Sequence, residues 1–287
     1  MPVSPLDGPA SAVAKVASIG DPTERALAAH RMIDDFQVAI NELSTVRREA
    51  LEELIAMGRT RAQLSELLNM SRARITQVLA GTGHPERAFL GTGRITVAIG
   101  GKQEIGRSDP GDVLSVESFA AFELLAELAR SVGLEAQYEV VPPPGHVHLN
   151  RPNLIVLTSP RLLPFVGQVM EADPRLRFRT DDRGWYLVDV ESGDEYRSPR
   201  DSGKNADYGY VGRLPRPDGK GTFLYLAGVH AQGTLGAAHY LADQMTTLYH
   251  DLKTRRFSLV VKCAFDPRKP RQIKSVEAVT PVYRHEG

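Results

Sequence analysis

At 287 residues the chain has room for one large domain or two modest ones, and a 42% hydrophobic content suffices for an ordinary core. Lys plus Arg equals Asp plus Glu at 35 each, so a nucleic-acid reading needs a local basic patch rather than global charge. The one cysteine, Cys263, excludes an intrachain disulfide framework and a cysteine-rich zinc site; no apolar run is long enough for a membrane span, and a reducing, cytoplasmic setting is expected.

Residues 1–20, rich in Pro, Ser, Ala and Gly, read as a flexible arm without the basic-then-apolar order of a secretory signal. A helix start follows: Asp21 can cap, Pro22 suits the first helical position, and Glu24 completes a capping-box-like spacing. Leu27, Met32, Ile33, Phe36, Ile40 and Leu43 form an apolar stripe that must pack on neighbouring helices or on a partner subunit. "VRREALEELIAMG" predicts a second helix ending at Gly58.

"TRAQLSELLNMSRARITQVLAG" reads as helix, short turn, helix. Thr60 can cap the first helix and Ser71 the second. Asn69 falls where the chain must turn sharply, and Asn tolerates the left-handed conformation. In the second helix Ile75, Val78 and Leu79 face inward and leave Arg72, Ala73, Arg74, Thr76 and Gln77 outside. Small residues beside Arg and Gln suit close approach to base edges and phosphates in a major groove. Arg59 and Arg61 stand at the preceding helix start, a natural place for phosphate contacts. From Arg47 to Arg87 there are seven Arg against five Glu, a modest local excess.

This segment resembles the helix-turn-helix of the fourth region of bacterial sigma factors and of related regulators, with Asn69 in place of the usual turn glycine. The resemblance implies double-stranded DNA binding through Ser71, Arg72, Ala73, Arg74, Thr76 and Gln77, with Arg59 and Arg61 alongside. The other sigma regions are not evident, so it implies a stand-alone regulator. The alternative is a helical hairpin that only packs or dimerises.

"GTGHPERAFLGTG" marks a boundary, with residues 84–93 as linker between a helix-turn-helix domain at 21–83 and a second domain at 94–287. "RITVAIGG", "EAQYEVV" and "NLIVLTS" predict strands; "VESFAAFELLAELARSVG" and "PRLLPFVGQVMEAD" predict helices. That alternation argues for a parallel-sheet α/β layer structure. "LRFRTDDRGWYLVDVESGDEYR" predicts an antiparallel meander of two or three strands. "TFLYLAG" is a further strand, "TLGAAHYLADQMTTLYHDL" a helix, and "RRFSLVVKCAF" and "IKSVEAVTPVY" closing strands. Through the segments "NLIVLTSPRLLPFVGQV" and "DYGYVGRLPRPDGKGTFLYLAGVHAQGTLGAAHYL" the second domain is similar to C-terminal domains of actinobacterial sigma-like helix-turn-helix proteins, which implies a Rossmann-like ligand-sensing domain and no particular activity. The predicted class is therefore α/β: an N-terminal all-α helix-turn-helix domain, then a Rossmann-like α/β domain carrying an antiparallel meander.

Candidate ligand residues gather at strand ends. "GVHAQGTLG" reads as a loop before a helix: Gly228 and Gly233 permit close approach of a ligand, Thr234 can cap or donate to phosphate, and His230 can contact a base or act in catalysis. A tight strand-to-helix connection is the plainer reading, because neither known nucleotide glycine fingerprint is present. "SPRDSGKNADYGYVG" offers Ser202, Lys204, Asn205, Asp207 and Tyr208 as a polar loop for ribose or phosphate. Gly100 and Gly101, with Lys102, follow the first strand; Ser159 and Arg161 follow the third. His146 and His148 lack partners for a metal, and the residues single out neither a cofactor nor a catalytic set. The expectation is a dimeric DNA-binding regulator with a domain sensing a small anionic or nucleotide-like ligand. The alternative is a nucleotide-processing enzyme, hydrolase or transferase, led by Asp207 and His230.

Overall fold

The computed structural model describes residues 9–80, 85–106, 108–109, 111–143 and 145–285. The chain divides into two compact units, Met1–Gly81 and Thr82–Gly287. The described residues of the first unit contain helices only: α1 (Pro9–Ala17), α2 (Pro22–Ala56), α3 (Arg61–Leu67) and α4 (Arg72–Ala80). Part of the expected arm is therefore helical; Pro9–Ala17 is alanine-rich, and alanine is the best helix former.

α2 starts as its sequence dictates, with the Asp21 carboxylate accepting the Glu24 N–H at 2.8 Å and Pro22 next to it. It then runs 35 residues as one helix, where two were expected. Neither glycine nor proline lies between Thr23 and Met57, so nothing stops the backbone until Gly58 takes a positive φ of 91°. Leu51, Leu64 and Ile75 form the core shared by α2, α3 and α4, with Leu54, Met70, Val78 and Leu79 against it. This core is small, and it leaves Leu67 and Leu68 exposed.

The second unit begins earlier than the expected boundary. Pro85–Phe89 is a 3-10 turn, and Ala88, Phe89 and Leu90 are buried in the core of this unit. The stretch read as linker is thus an anchor, with the Phe89 ring 5.6 Å from that of Phe257. The elements that follow are β1 (Ile95–Gly100), β2 (Lys102–Gln103), β3 (Asp112–Val113), α5 (Val116–Ser131), β4 (Ala136–Val141), β5 (Leu154–Leu157) and α6 (Pro164–Val169). Then come β6 (Leu176–Asp181), β7 (Gly184–Asp189), β8 (Glu195–Arg197), β9 (Ala206–Pro215), β10 (Thr222–Gly228), α7 (Ala231–Leu252), β11 (Arg256–Asp266), β12 (Lys269–Ala278) and β13 (Tyr283–His285).

Eight of these strands form one mixed sheet in the order β12, β11, β9, β10, β5, β1, β4, with β13 also paired to β11. β10, β5, β1 and β4 are parallel; β9, β11, β12 and β13 are antiparallel to their neighbours. The parallel layer expected from the sequence is therefore one half of a mixed sheet. β6, β7 and β8 form the expected antiparallel meander as a separate three-stranded sheet.

Alternate strand residues feed two cores. On one face Val97, Ile99, Leu224 and Leu226 pack with Leu125 of α5 and Leu241 of α7. On the other Ala98, Val156, Tyr225 and Tyr210 pack with Val166 of α6 and Leu187 of the meander. β5 is sealed on both sides, all four of its residues buried, as expected of a continuously apolar strand.

β9 is the strand least expected from sequence. It sits inside the sheet, bonded to both β10 and β11, and holds Asp207 and Tyr208, which read as loop residues. The glycines that suggest a loop allow close packing instead: a Cβ on Gly209 would run into the Gly233 carbonyl oxygen of α7, and one on Gly212 into the Tyr210 side chain.

Candidate functional sites

In the helical unit, α3 carries a full capping box. The Thr60 hydroxyl accepts the Gln63 N–H at 3.3 Å, and the Gln63 side chain accepts the Thr60 N–H at 2.9 Å. The turn into α4 has Asn69 at φ 50°, the left-handed conformation expected of it. The Ser65 hydroxyl donates to the Met70 carbonyl and closes the turn. Ser71 then caps α4, its hydroxyl accepting the Arg74 N–H at 3.1 Å.

These constraints fix which side of α4 is inward. Ile75 is fully buried, while Ser71, Arg72, Ala73, Arg74 and Thr76 are exposed. Arg59 and Arg61 are also exposed beside the start of α3. The Thr76 hydroxyl donates back to the Arg72 carbonyl at 3.0 Å. Nothing is described of the Gln77 side chain.

In the second unit, β1 leads to α5 on one face and β5 leads to α6 on the other. Adjacent parallel strands whose chains leave in opposite directions open a crevice at their carboxyl ends. Gly100, Thr158, Ser159 and Gly228 line it from the strand ends; Ser115 and Ser118 line it from the start of α5; His230, Ala231 and Thr234 line it from the start of α7; Lys102, Val113, Arg161 and Leu162 complete it. The pocket measures about 40 Å³.

Of the ligand residues expected from sequence, the crevice gathers Gly100, Ser159, Gly228, His230 and Thr234. Gly101 lies outside its lining, and a Cβ there would meet the Val140 side chain at 2.9 Å. Ser202, Lys204 and Asn205 are exposed around the 3-10 turn Pro199–Ser202. Tyr208 is half-buried and packs against the Tyr196 ring. The sequence reading missed Ser115 and Ser118; the cue was an S-x-x-S spacing at the head of an amphipathic helix, where Ser115 caps the Ser118 N–H at 3.0 Å.

The stretch "GVHAQGTLG" is a connection of two residues. Gly228 ends β10, His230 is the N-cap of α7, and Gln232 to Gly236 lie within that helix. Its glycines serve packing. A Cβ on Gly228 would strike the His230 carbonyl oxygen and the Thr234 amide; one on Gly233 would strike the Tyr208 carbonyl oxygen of β9. The Thr234 hydroxyl accepts the Gly228 N–H at 2.8 Å. This is the tight strand-to-helix connection of the plainer reading.

Asp207 explains the rest of that geometry. Fully buried in β9, it places Oδ2 3.0 Å from the His230 N–H and 2.7 Å from the Gly233 N–H, both of which donate to it. A buried carboxylate thus satisfies first-turn amides of α7 and opposes the positive end of that helix. Burial pushes its pKa up, against the pull of the Ser198 hydroxyl, the His230 charge and the surrounding amides. Asp207 faces α7 and not the crevice, whose lining contains neither Asp nor Glu.

The 3-10 turn Pro199–Ser202 is tied to the same helix. His230 Nε2 lies 2.7 Å from Asp201 Oδ1, and since an ionised carboxylate only accepts, the ring donates. Arg200 donates to the Gln232 side chain at 2.6 Å, which in turn donates to buried Glu117 of α5 at 2.9 Å. Cys263 is sealed beneath α7: its thiol donates to the Gln232 carbonyl at 3.3 Å, and burial pushes its pKa up to about 12, so it is an inert packing group.

No helix among the described residues is long and apolar enough to cross a membrane. Compared with known proteins, the chain matches no family model, no curated protein and no solved structure.

Proposed function

We propose that this protein is a DNA-binding transcription regulator whose Rossmann-like α/β unit binds a small anionic ligand. The observation that carries the reading is the division of α4. Ile75 is sunk in the core, and the residues around it at the capped start of the helix, Arg72, Ala73, Arg74 and Thr76, are all exposed. A helix that reads a major groove needs that combination of a fixed inner face and small and donor residues at its N-terminal end. The resemblance of the sequence "TRAQLSELLNMSRARITQVLAG" to the fourth sigma region supports the same reading.

A dimer belongs to this reading. Leu27, Ile33, Ile40 and Leu43 of α2 are 54–67% exposed, and positions 33, 36, 40 and 43 repeat at spacings of three and four. A second copy packed along that stripe would remove it from water and bring two reading helices to one duplex.

The test is retardation of duplexes selected by the protein from a random-sequence pool. Arg72→Ala and Arg74→Ala each weaken binding by roughly tenfold, leave the thermal melting curve in place, and lower the salt dependence where the lost contact is to phosphate. Undiminished retardation by both variants would falsify α4 as the reading helix. A second reading, nucleotide hydrolysis, is favoured by one feature: His230 lines the crevice with its ring turned by Asp201, as a general base requires. Turnover of a nucleotide panel that disappears in His230→Ala would select it; ligand-dependent melting without turnover selects sensing.

A further inference from the structure

We propose that the crevice takes one phosphoryl group, held by Lys102, Arg161 and Ser159 and not by the first turn of α7. The inference rests on the ligand-binding reading above and names the chemistry of the ligand and its place.

The α7 end is the obvious seat for an anion, and it is taken: Asp207 accepts the His230 and Gly233 amides, and Thr234 is bonded to Gly228. A second negative charge beside Asp207 would meet repulsion. Elsewhere the crevice is lined by no carboxylate among the described residues. Lys102 and Arg161 line it, both exposed and neither in an ion pair among the described residues. Ser159 is 8% exposed, lines the same space, and its hydroxyl has no hydrogen-bond partner among the described residues. That hydroxyl oxygen keeps contact with solvent and is free to donate to a ligand. The Glu117 carboxylate, in the first turn of α5, is engaged by Gln232 and lies outside the lining. Ammonium, guanidinium and hydroxyl donors with no lining acid describe a site for a group made of acceptors, and phosphate is the strongest such group.

Size narrows the choice. A pocket of about 40 Å³ seats one tetrahedral anion, whereas sites for whole drug-sized ligands run to roughly 300–1,000 Å³. A phosphorylated metabolite or a nucleotide would enter by its phosphate and leave its neutral part at the rim near His230.

The experiment is calorimetric titration of the full chain with inorganic phosphate, ribose 5-phosphate and ribose at constant ionic strength. Inorganic phosphate and ribose 5-phosphate bind, ribose does not; a stronger response to ribose 5-phosphate than to phosphate marks a sugar phosphate as the natural source. The double variant Lys102→Ala, Arg161→Ala and the single variant Ser159→Ala each raise the Kd by roughly tenfold or more, with ligand-free melting unchanged. Equal binding of ribose, no binding of either phosphate compound, or phosphate binding that survives both variants would overturn the proposal. Because DNA retardation is read separately, such a result leaves the DNA-binding reading standing or falling on its own test.

Discussion

The Asp207 carboxylate stands where the sequence invites a ligand's anion, and its effect is open to measurement. Asp207→Ala leaves the His230 and Gly233 amides without their acceptor and costs about 1–3 kcal/mol in chemical denaturation at neutral pH. Asp207→Asn keeps an oxygen for both amides and removes the charge. Burial raises the pKa of Asp207 above its ordinary 3.8, so the folded state holds its proton to higher pH than the unfolded chain does. Over that window the folded state binds more protons, and stability falls as pH rises. The stability of Asp207→Asn relative to the natural protein therefore increases from about pH 4 upward and levels off above the raised pKa. A difference that is flat with pH would show that the carboxylate ionises as freely folded as unfolded. Nothing local in "KNADYGYVG" reveals this role. An Asp between Ala and Tyr looks like any turn residue until β9 is known to lie under α7.

At the scale of elements, the contact between α7 and β9 depends on Gly233. A methyl group there would meet the Tyr208 carbonyl oxygen and, at 2.8 Å, Asp207 Oδ2, so the helix must lift from the strand. Gly233→Ala is expected to lose about 1–3 kcal/mol by overpacking, although alanine is the better helix former by about 1 kcal/mol. Gly167→Ala in α6 is the control: its new Cβ meets the Pro160 side chain at an ordinary 3.4 Å, so the melting temperature holds or rises. The contrast also separates the elements that sequence disclosed from those it hid. β1, β5, β10 and α5 were legible because their apolar periods are unbroken and their caps are local. β9 was hidden because Gly209 answers to a helix distant in sequence and Gly212 to the side chain of Tyr210 in its own strand, and the break expected in α2 failed because neither glycine nor proline interrupts it.

Across the whole molecule, separate stretches of chain build separate cores: Leu51, Leu64 and Ile75 with their neighbours form one, and residues from Ala88 onward form the two on either face of the large sheet. The sequence marks a change from helix periods to strand periods near this division, while the burial of Phe89 has no local cue. The crevice was legible as a set of strand ends, since Gly100, Ser159, Gly228, His230 and Thr234 all reach it. Where its charge lies was not, because that depends on Asp207 facing α7 and on Lys102 and Arg161 having no ion pair among the described residues. The buried carboxylate under α7 thereby makes the crevice lopsided. On the proposed reading, an elongated ligand charged at one end would have a single favourable way round, its charge toward Lys102 and Arg161 and away from the α7 end that Asp207 already fills.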